Sequence, residues 1–176
     1  MLKSFSRRFF TARPATLPVS VLFVCMANYC RSPMAEGLLK QQLLEQGLSQ
    51  RIGVDSAGTH VGRGGQRPDA RAQQVVLSSG VDIGRLRSRP IALEDFRLFD
   101  YILAMDEDNL QSLSQLCPAE HQHKLAMIMS FAPQTGVTEV PDPYYSSKEG
   151  FRQVYTFLRQ AVVGLVASIE EKHDMT

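Results

Sequence analysis

The chain has 176 residues, 44% of them hydrophobic, and a net charge of +1 at pH 7. This length suits one domain with a full core, and the balanced charge gives no basis for a nucleic-acid partner. No apolar run approaches the roughly 18–20 residues of a membrane span, and three cysteines are too few for a disulfide scaffold. We therefore predict a protein with no membrane or nucleic-acid partner in a reducing, cytoplasmic compartment.

The first 18 residues differ from the rest of the chain. They contain Lys3, Arg7, Arg8 and Arg13, and no acidic residue precedes Glu36. Organelle-targeting segments are also basic and poor in acids, whereas a secretory signal needs a longer apolar core. We predict that residues 1–18 form a disordered basic tail rather than a targeting signal, and that residues 19–172 form one domain.

Apolar runs and helical periodicities alternate along the rest of the chain. The run at 19–24 is continuously apolar, as in a central parallel strand that is buried on both faces. Alternating strands and helices predict crossover connections and a parallel sheet. The predicted elements are strands at 19–24, 52–56, within 96–105 and at 124–130, and helices at 34–47, 69–79, 106–116 and 147–171.

The segment between the first strand and the first helix carries the chemistry. Cys25 and Arg31 stand six positions apart, and Ser32 and Pro33 suit the N-cap and first position of the helix. Such a loop gathers backbone N–H groups around a site for an anion. A cysteine there is favoured as the nucleophilic thiolate, and an arginine fork can bind two phosphoryl oxygens. The sequence predicts a phosphate-binding loop after the first strand.

This loop and three later motifs resemble the low-molecular-weight protein tyrosine phosphatases. The later motifs, in the family's order, are Asp55-Ser56-Ala57-Gly58-Thr59, residues 99–106, and Asp142-Pro143-Tyr144-Tyr145. The resemblance extends from about Val19 to the C-terminal helix. It implies an α/β fold: a single three-layer domain with a four-stranded parallel sheet and helices on both faces. It also implies hydrolysis of phosphotyrosine without a metal or other cofactor.

Phosphotyrosine hydrolysis needs a nucleophile, a cradle for three phosphoryl oxygens and a proton donor. Cys25 would attack phosphorus and form a cysteinyl phosphate. Asn28 is interpreted as a brace for the loop, because asparagine tolerates unusual backbone angles. The Ser32 hydroxyl could donate to the Cys25 thiolate, serve only the helix, or do both. Arg31 would stabilise the oxygens together with the loop amides of Met26, Ala27, Asn28, Tyr29, Cys30 and Ser32.

Asp142 is the candidate proton donor. Pro143 biases Asp142 towards an extended backbone, so that its carboxyl is held away from a helix. The alternative is a turn aspartate, since Asp-Pro is common in turns; the match to the family's Asp-Pro-Tyr-Tyr motif favours a general acid. Tyr144 and Tyr145 could flank the cleft and stack on the substrate ring.

Cys30 lies within the same loop as Cys25. The family resemblance implies a reversible Cys25–Cys30 disulfide that would shield the nucleophile from irreversible oxidation. The alternative is a small packed side chain. Cys117, before Pro118 at a helix end, is interpreted as a packing residue.

The chain departs from the family pattern at two places. Ala27 stands where the family often has glycine, and alanine would cost about 1 kcal/mol if that position needs a positive φ. The loop at 60–66 lacks the aromatic residue that commonly forms one wall of the cleft. The second departure affects the expected substrate preference rather than the chemistry.

Three alternatives to a tyrosine phosphatase remain. An arsenate reductase of the same fold needs further relay cysteines, and only Cys117 lies outside the loop. The related protein-arginine phosphatases carry threonine where Tyr29 stands. A phosphotyrosine-binding pseudoenzyme would have no need of Cys25, Arg31 and Asp142 together. We expect the partner to be a tyrosine-phosphorylated protein or a small phosphomonoester, and the chain to be a monomer or to self-associate weakly.

Overall fold

The computed structural model describes residues 17–174, so the predicted tail lies almost wholly outside the described part of the chain. The strands are β1 (Val19–Cys25), β2 (Ile52–Gly58), β3 (Tyr101–Ala104) and β4 (Leu125–Met127). The helices are α1 (Arg31–Glu45), α2 (Ala70–Leu77), α3 (Leu93–Leu98), α4 (Glu107–Leu116) and α5 (Lys148–His173). Three 3₁₀ turns cover Ala119–Lys124, Ile128–Phe131 and Pro133–Thr135.

The four strands form one parallel sheet in the order β2-β1-β3-β4, which confirms the predicted fold. Every residue of β1 is buried, as its continuous apolar run predicts. Because successive side chains of a strand point to opposite faces, β1 contributes to two separate cores. Phe23 belongs to the larger core with α1, α2 and α5, and Leu22 belongs to the smaller core with α3 and α4. The molecule therefore has helices on both faces of its sheet.

The region around β3 and β4 differs in detail from the predicted elements. The strand expected within 96–105 is β3, but the residues before it form α3, which the periodicity did not reveal. The Asp95 carboxylate accepts a hydrogen bond from the Ala92 N–H at 2.8 Å and so caps this short helix. The strand predicted at 124–130 is shortened to β4, which pairs with the four-residue β3 at three positions. The chain then turns into the 3₁₀ segment Ile128–Phe131.

None of the described helices is both long and apolar enough to cross a membrane.

Candidate active site

The loop between β1 and α1 lies at the carboxyl edge of the sheet, where ligands bind in folds of this kind. Cys25 is the last residue of β1 and Arg31 is the first residue of α1, and both are buried. The loop between them turns through Asn28, whose φ is +52°. Asn28 and Asp174 are the non-glycine residues with positive φ within 17–174, so the left-handed position does not fall on Ala27. The backbone cost considered for Ala27 is therefore absent.

The Asn28 side chain holds the loop in this shape. Its amide nitrogen donates to Ser32 Oγ and to Ser56 Oγ, both at 2.9 Å, and its Oδ1 accepts from the Arg89 N–H at 2.9 Å. One buried amide thus connects the loop to α1, to β2 and to the segment before α3. The contacts fit the interpretation of Asn28 as a brace.

The prediction that Ser32 caps α1 is wrong. The helix begins at Arg31, with Cys30 at the N-cap position and no side-chain cap. Because Ser32 is the second residue inside the helix, its hydroxyl faces the loop instead. Ser32 Oγ lies 3.1 Å from Cys25 Sγ and 3.3 Å from the Ala57 carbonyl. The Cys25 thiol therefore lies beside the Ser32 hydroxyl and the N-terminus of α1.

The Arg31 guanidinium is held between two carboxylates. Its Nη2 donates to Asp142 Oδ2 at 3.0 Å, and its Nη1 donates to Asp106 and to the Val140 carbonyl. Burial alone would lower the pKa of Arg31, but the neighbouring Cys25, Asp106 and Asp142 outweigh it, so the pKa is raised. Arg31 is consequently a permanent cation at the centre of the site.

Asp106 is a site residue to which the sequence analysis gave no role. It caps α4 by accepting from the Asn109 N–H at 2.8 Å, and its other oxygen binds Arg31. The feature of the sequence that could have identified Asp106 is its position shortly after β3, because residues at the carboxyl ends of parallel strands meet at one edge of the sheet.

A second missed feature lies beneath the loop. Glu36 is buried on α1, where it accepts from Ser56 Oγ at 2.6 Å and pairs with Lys40 one turn later. Burial raises the pKa of Glu36, against the opposing charge of Lys40. Ser56 Oγ also accepts a hydrogen bond from the Asn28 amide nitrogen. A continuous chain of hydrogen bonds therefore connects the loop to the exposed Lys40.

The cleft above the loop has a volume of about 330 Å³. This size is at the lower end of the range for small-molecule pockets. The predicted residues that line it are Cys25, Met26, Ala27, Tyr29, Cys30, Arg31, Asp142, Tyr144 and Tyr145. Asn28 and Ser32 lie below the loop and act through their side-chain hydrogen bonds.

Aromatic rings occupy one side of this cleft. The centroids of Tyr29 and Tyr144 are 6.2 Å apart with the rings tilted by 58°, and Tyr145 meets Tyr144 edge to face at 4.9 Å. Another part of the cleft wall is formed by Val61, Gly62, Arg63, Gln66 and Ser88. This wall has no aromatic residue, as the sequence of the 60–66 loop indicates.

The other cysteines occupy different environments. Cys30 is buried within the loop, and desolvation, followed by the charges of Asp69 and Cys25, raises the pKa of its thiol. Cys117 packs in the smaller core and does not line the cleft. All three thiols are free. Residues 17–174 contain no group of three or more His, Cys, Asp or Glu side chains arranged to hold a metal ion.

The parallel sheet and the Cys-x5-Arg loop at its carboxyl edge define an α/β protein with an anion-binding loop between a strand and the N-terminus of a helix. A family model described as low molecular weight phosphotyrosine protein phosphatase matches residues 20–175. The chain belongs to this family.

Individual relatives agree with this assignment. The human low molecular weight phosphotyrosine protein phosphatase is 38% identical over 160 residues, which cover 88% of this chain and 96% of the human protein. YfkJ of Bacillus subtilis, a low molecular weight protein-tyrosine-phosphatase, is 31% identical over 157 residues, covering 89% and 99%. The crystal structure of a protein tyrosine phosphatase from Entamoeba histolytica superposes with a TM-score of 0.84 at 39% identity, covering 88% of this chain and 99% of that one.

Proposed function

We propose that the chain is a protein tyrosine phosphatase that acts through a cysteinyl-phosphate intermediate. The observation that carries the proposal is the contact between Arg31 and Asp142 in the cleft that Cys25 also lines. This contact puts the phosphate-binding cation within hydrogen-bond distance of the candidate acid. We assign the activity to a domain at 19–172, and residues 1–18 to a basic tail.

Each step of the reaction then has a residue to perform it. The Cys25 thiolate attacks phosphorus, and the bond between phosphorus and sulfur forms as the bond to the phenolic oxygen breaks. Asp142 gives its proton to that oxygen, and the leaving group departs as the neutral phenol. Asp142 then takes a proton from water, which attacks the cysteinyl phosphate and releases inorganic phosphate and the thiolate. Arg31 and the loop amides bind the phosphoryl oxygens throughout.

The aromatic side of the cleft supports phosphotyrosine as the substrate. Tyr29 and Tyr144 offer ring faces and edges to a planar phenol, and stacking of this kind contributes about 0.5–1.5 kcal/mol. The substrate would be a tyrosine-phosphorylated protein or a small aryl phosphate. Phosphotyrosine and phosphoarginine peptides tested side by side would distinguish this activity from that of a protein-arginine phosphatase. The monomeric state and the cytoplasmic location stay predictions.

Asp142→Asn tests the assignment of the general acid. We expect turnover to fall by about 10²–10⁴-fold on phosphate esters of weakly acidic phenols. The deficit should shrink as the leaving phenol becomes more acidic, because a good leaving group needs less protonation. The rate of the wild type should also decline as the pH rises and the carboxyl loses its proton, and the variant should lack this decline.

Steady-state rates on a series of substituted phenyl phosphates, each measured over a range of pH, check this expectation. Asp108→Asn is the matched control, because Asp108 is exposed on the first turn of α4 and lines no part of the cleft. A loss that is uniform across all leaving groups, with an unchanged pH profile, would mean that Asp142 only shapes its loop.

We further propose that Cys25 and Cys30 form a reversible disulfide. Mild hydrogen peroxide would oxidise the two thiols, with loss of two protons and two electrons, while the peroxide is reduced to water. We expect activity to disappear with formation of the bridge and to return with a thiol reductant, whereas Cys30→Ser should be inactivated irreversibly. Peptide mapping by mass spectrometry detects the bridge, with Cys117→Ala as the control. Sulfinic acid at Cys25 without any bridge would remove Cys30 from this role.

A further inference from the structure

Arg71 connects three parts of the molecule that surround the cleft. It is the second residue of α2 and binds Asp69, the residue that caps this helix. Arg71 Nε lies 3.0 Å from Asp69 Oδ1, and Arg71 Nη2 lies 2.8 Å from Asp69 Oδ2, which makes the pair bidentate. The Asp69 N–H in turn donates to the Tyr29 carbonyl at 2.9 Å. One end of this arrangement is therefore fixed to the phosphate-binding loop.

The other end reaches the segment that follows Asp142. Arg71 Nη2 donates to the Tyr144 carbonyl at 3.1 Å, and Arg71 Nη1 donates to the Ser146 carbonyl at 3.4 Å. The guanidinium also lies 4.5 Å from the ring centroid of Phe151 on α5 and 5.8 Å from that of Tyr144. The same planar group thus serves one carboxylate, two carbonyls and two rings.

We propose that Arg71 is a positioning residue that keeps Asp142 in place for proton transfer. The inference rests on the proposed function, in which Asp142 is the general acid. The Tyr144 N–H donates to Asp142 Oδ1 at 3.0 Å, so the backbone that Arg71 binds also holds the carboxyl.

The contact between Arg71 and the Tyr144 carbonyl matters because the other partner of Asp142 is Arg31. In the structure Arg31 Nη2 binds Asp142 Oδ2, but the same guanidinium must bind phosphoryl oxygens during the reaction. As those oxygens take over the Arg31 donors, Asp142 loses its direct contact with Arg31. The hydrogen bonds from the Tyr144 N–H to Asp142 and from Arg71 to the Tyr144 carbonyl do not involve the phosphoryl group, so they persist. Arg71 therefore matters most at the stage when the proton is transferred.

Lysine cannot replace arginine in this arrangement. An ammonium group is a compact charge without the planar fork that serves Asp69 and the two carbonyls together. Arg71→Lys should retain a cation beside Asp69 and preserve the fold, but release the segment after Asp142. A small displacement of a catalytic group is enough to slow a reaction by one to two orders of magnitude.

The test measures Arg71→Lys and Arg71→Gln on the substituted phenyl phosphates. We expect kcat on the weakly acidic phenols to fall by about 10-fold or more, and kcat on p-nitrophenyl phosphate to fall much less. The decline of rate at high pH should be weakened in both variants. In the Asp142→Asn background the same Arg71 substitutions should have almost no further effect, because a positioning residue acts through the group it positions.

Arg97→Gln is the matched control, since Arg97 forms an exposed ion pair with Glu94 on α3, away from the cleft. Thermal unfolding of all variants reports any general loss of structure. An equal loss on every leaving group, or a full Arg71 effect that remains in the Asp142→Asn background, would overturn the inference. A wild type without phosphatase activity, or an Asp142→Asn variant with normal rates, would instead reject the proposed function, and this inference with it.

Discussion

Cys25→Ser should abolish turnover while binding of inorganic phosphate remains measurable. The hydroxyl of serine is a far weaker nucleophile than a thiolate, and the hydrogen-bond neighbour of Cys25 Sγ within residues 17–174 is the Ser32 hydroxyl, which is not a base. We expect a loss on the order of 10⁶-fold, as when a serine protease loses its nucleophile. Initial rates on p-nitrophenyl phosphate, together with calorimetric titration with phosphate, provide the measurement.

Cys117→Ser is the matched control for this substitution. It makes the same chemical change at a buried cysteine in the other core, so it reports the effect of the change on folding alone. Residual turnover of Cys25→Ser near the level of the wild type would be incompatible with a cysteinyl phosphate.

Arg31→Lys should also cause a large loss of activity, about 10²–10³-fold in kcat. Arg31 Nη2 binds Asp142, and Arg31 Nη1 binds Asp106 and the Val140 carbonyl. These two nitrogens lie in one plane, in a geometry that matches two phosphoryl oxygens. A lysine ammonium is too compact to occupy both positions. It would also leave one of the two carboxylates, Asp106 or Asp142, without its partner.

Rates and phosphate affinity of Arg31→Lys should be measured together, because the loss is expected in both. Arg152→Lys serves as the control, since Arg152 forms an exposed pair with Glu149 at the start of α5. If Arg31→Lys hydrolyses aryl phosphates at a near-normal rate, the loop amides alone are sufficient to stabilise the transferred group.

The elements that were predictable from the sequence are those with a local cause. A continuous apolar run identified β1 as a central strand, and the spacing of Cys25 and Arg31 identified the loop, because both patterns depend on neighbours in the chain. The asparagine at the turn is equally local: it is one of the few residues that accept a left-handed backbone.

The features that the sequence did not reveal depend on contacts between distant segments. Asp106 binds Arg31 across 75 positions, and Arg71 binds the Tyr144 carbonyl across 73. No local pattern specifies either contact, since both follow from the order in which the strands join the sheet. The start of α1 shows the same limit at short range, because the helix begins at Arg31, two residues before the predicted first position, so that Ser32 lies inside the helix instead of capping it.

The three bonds of the Asn28 side chain have a consequence for the whole catalytic cycle. The ester, the cysteinyl phosphate and the free phosphate would each occupy the same cradle, yet none of the atoms that set its shape belongs to them. The frame is specified by an amide, two hydroxyls and a backbone N–H that stay in place whichever species is bound. On the proposed mechanism, the groups that would rearrange between stages are the Arg31 guanidinium and the Asp142 carboxyl. The cycle would need no refolding of the loop. Because no binding free energy would be used to order the loop, more of it would remain to stabilise the transition state.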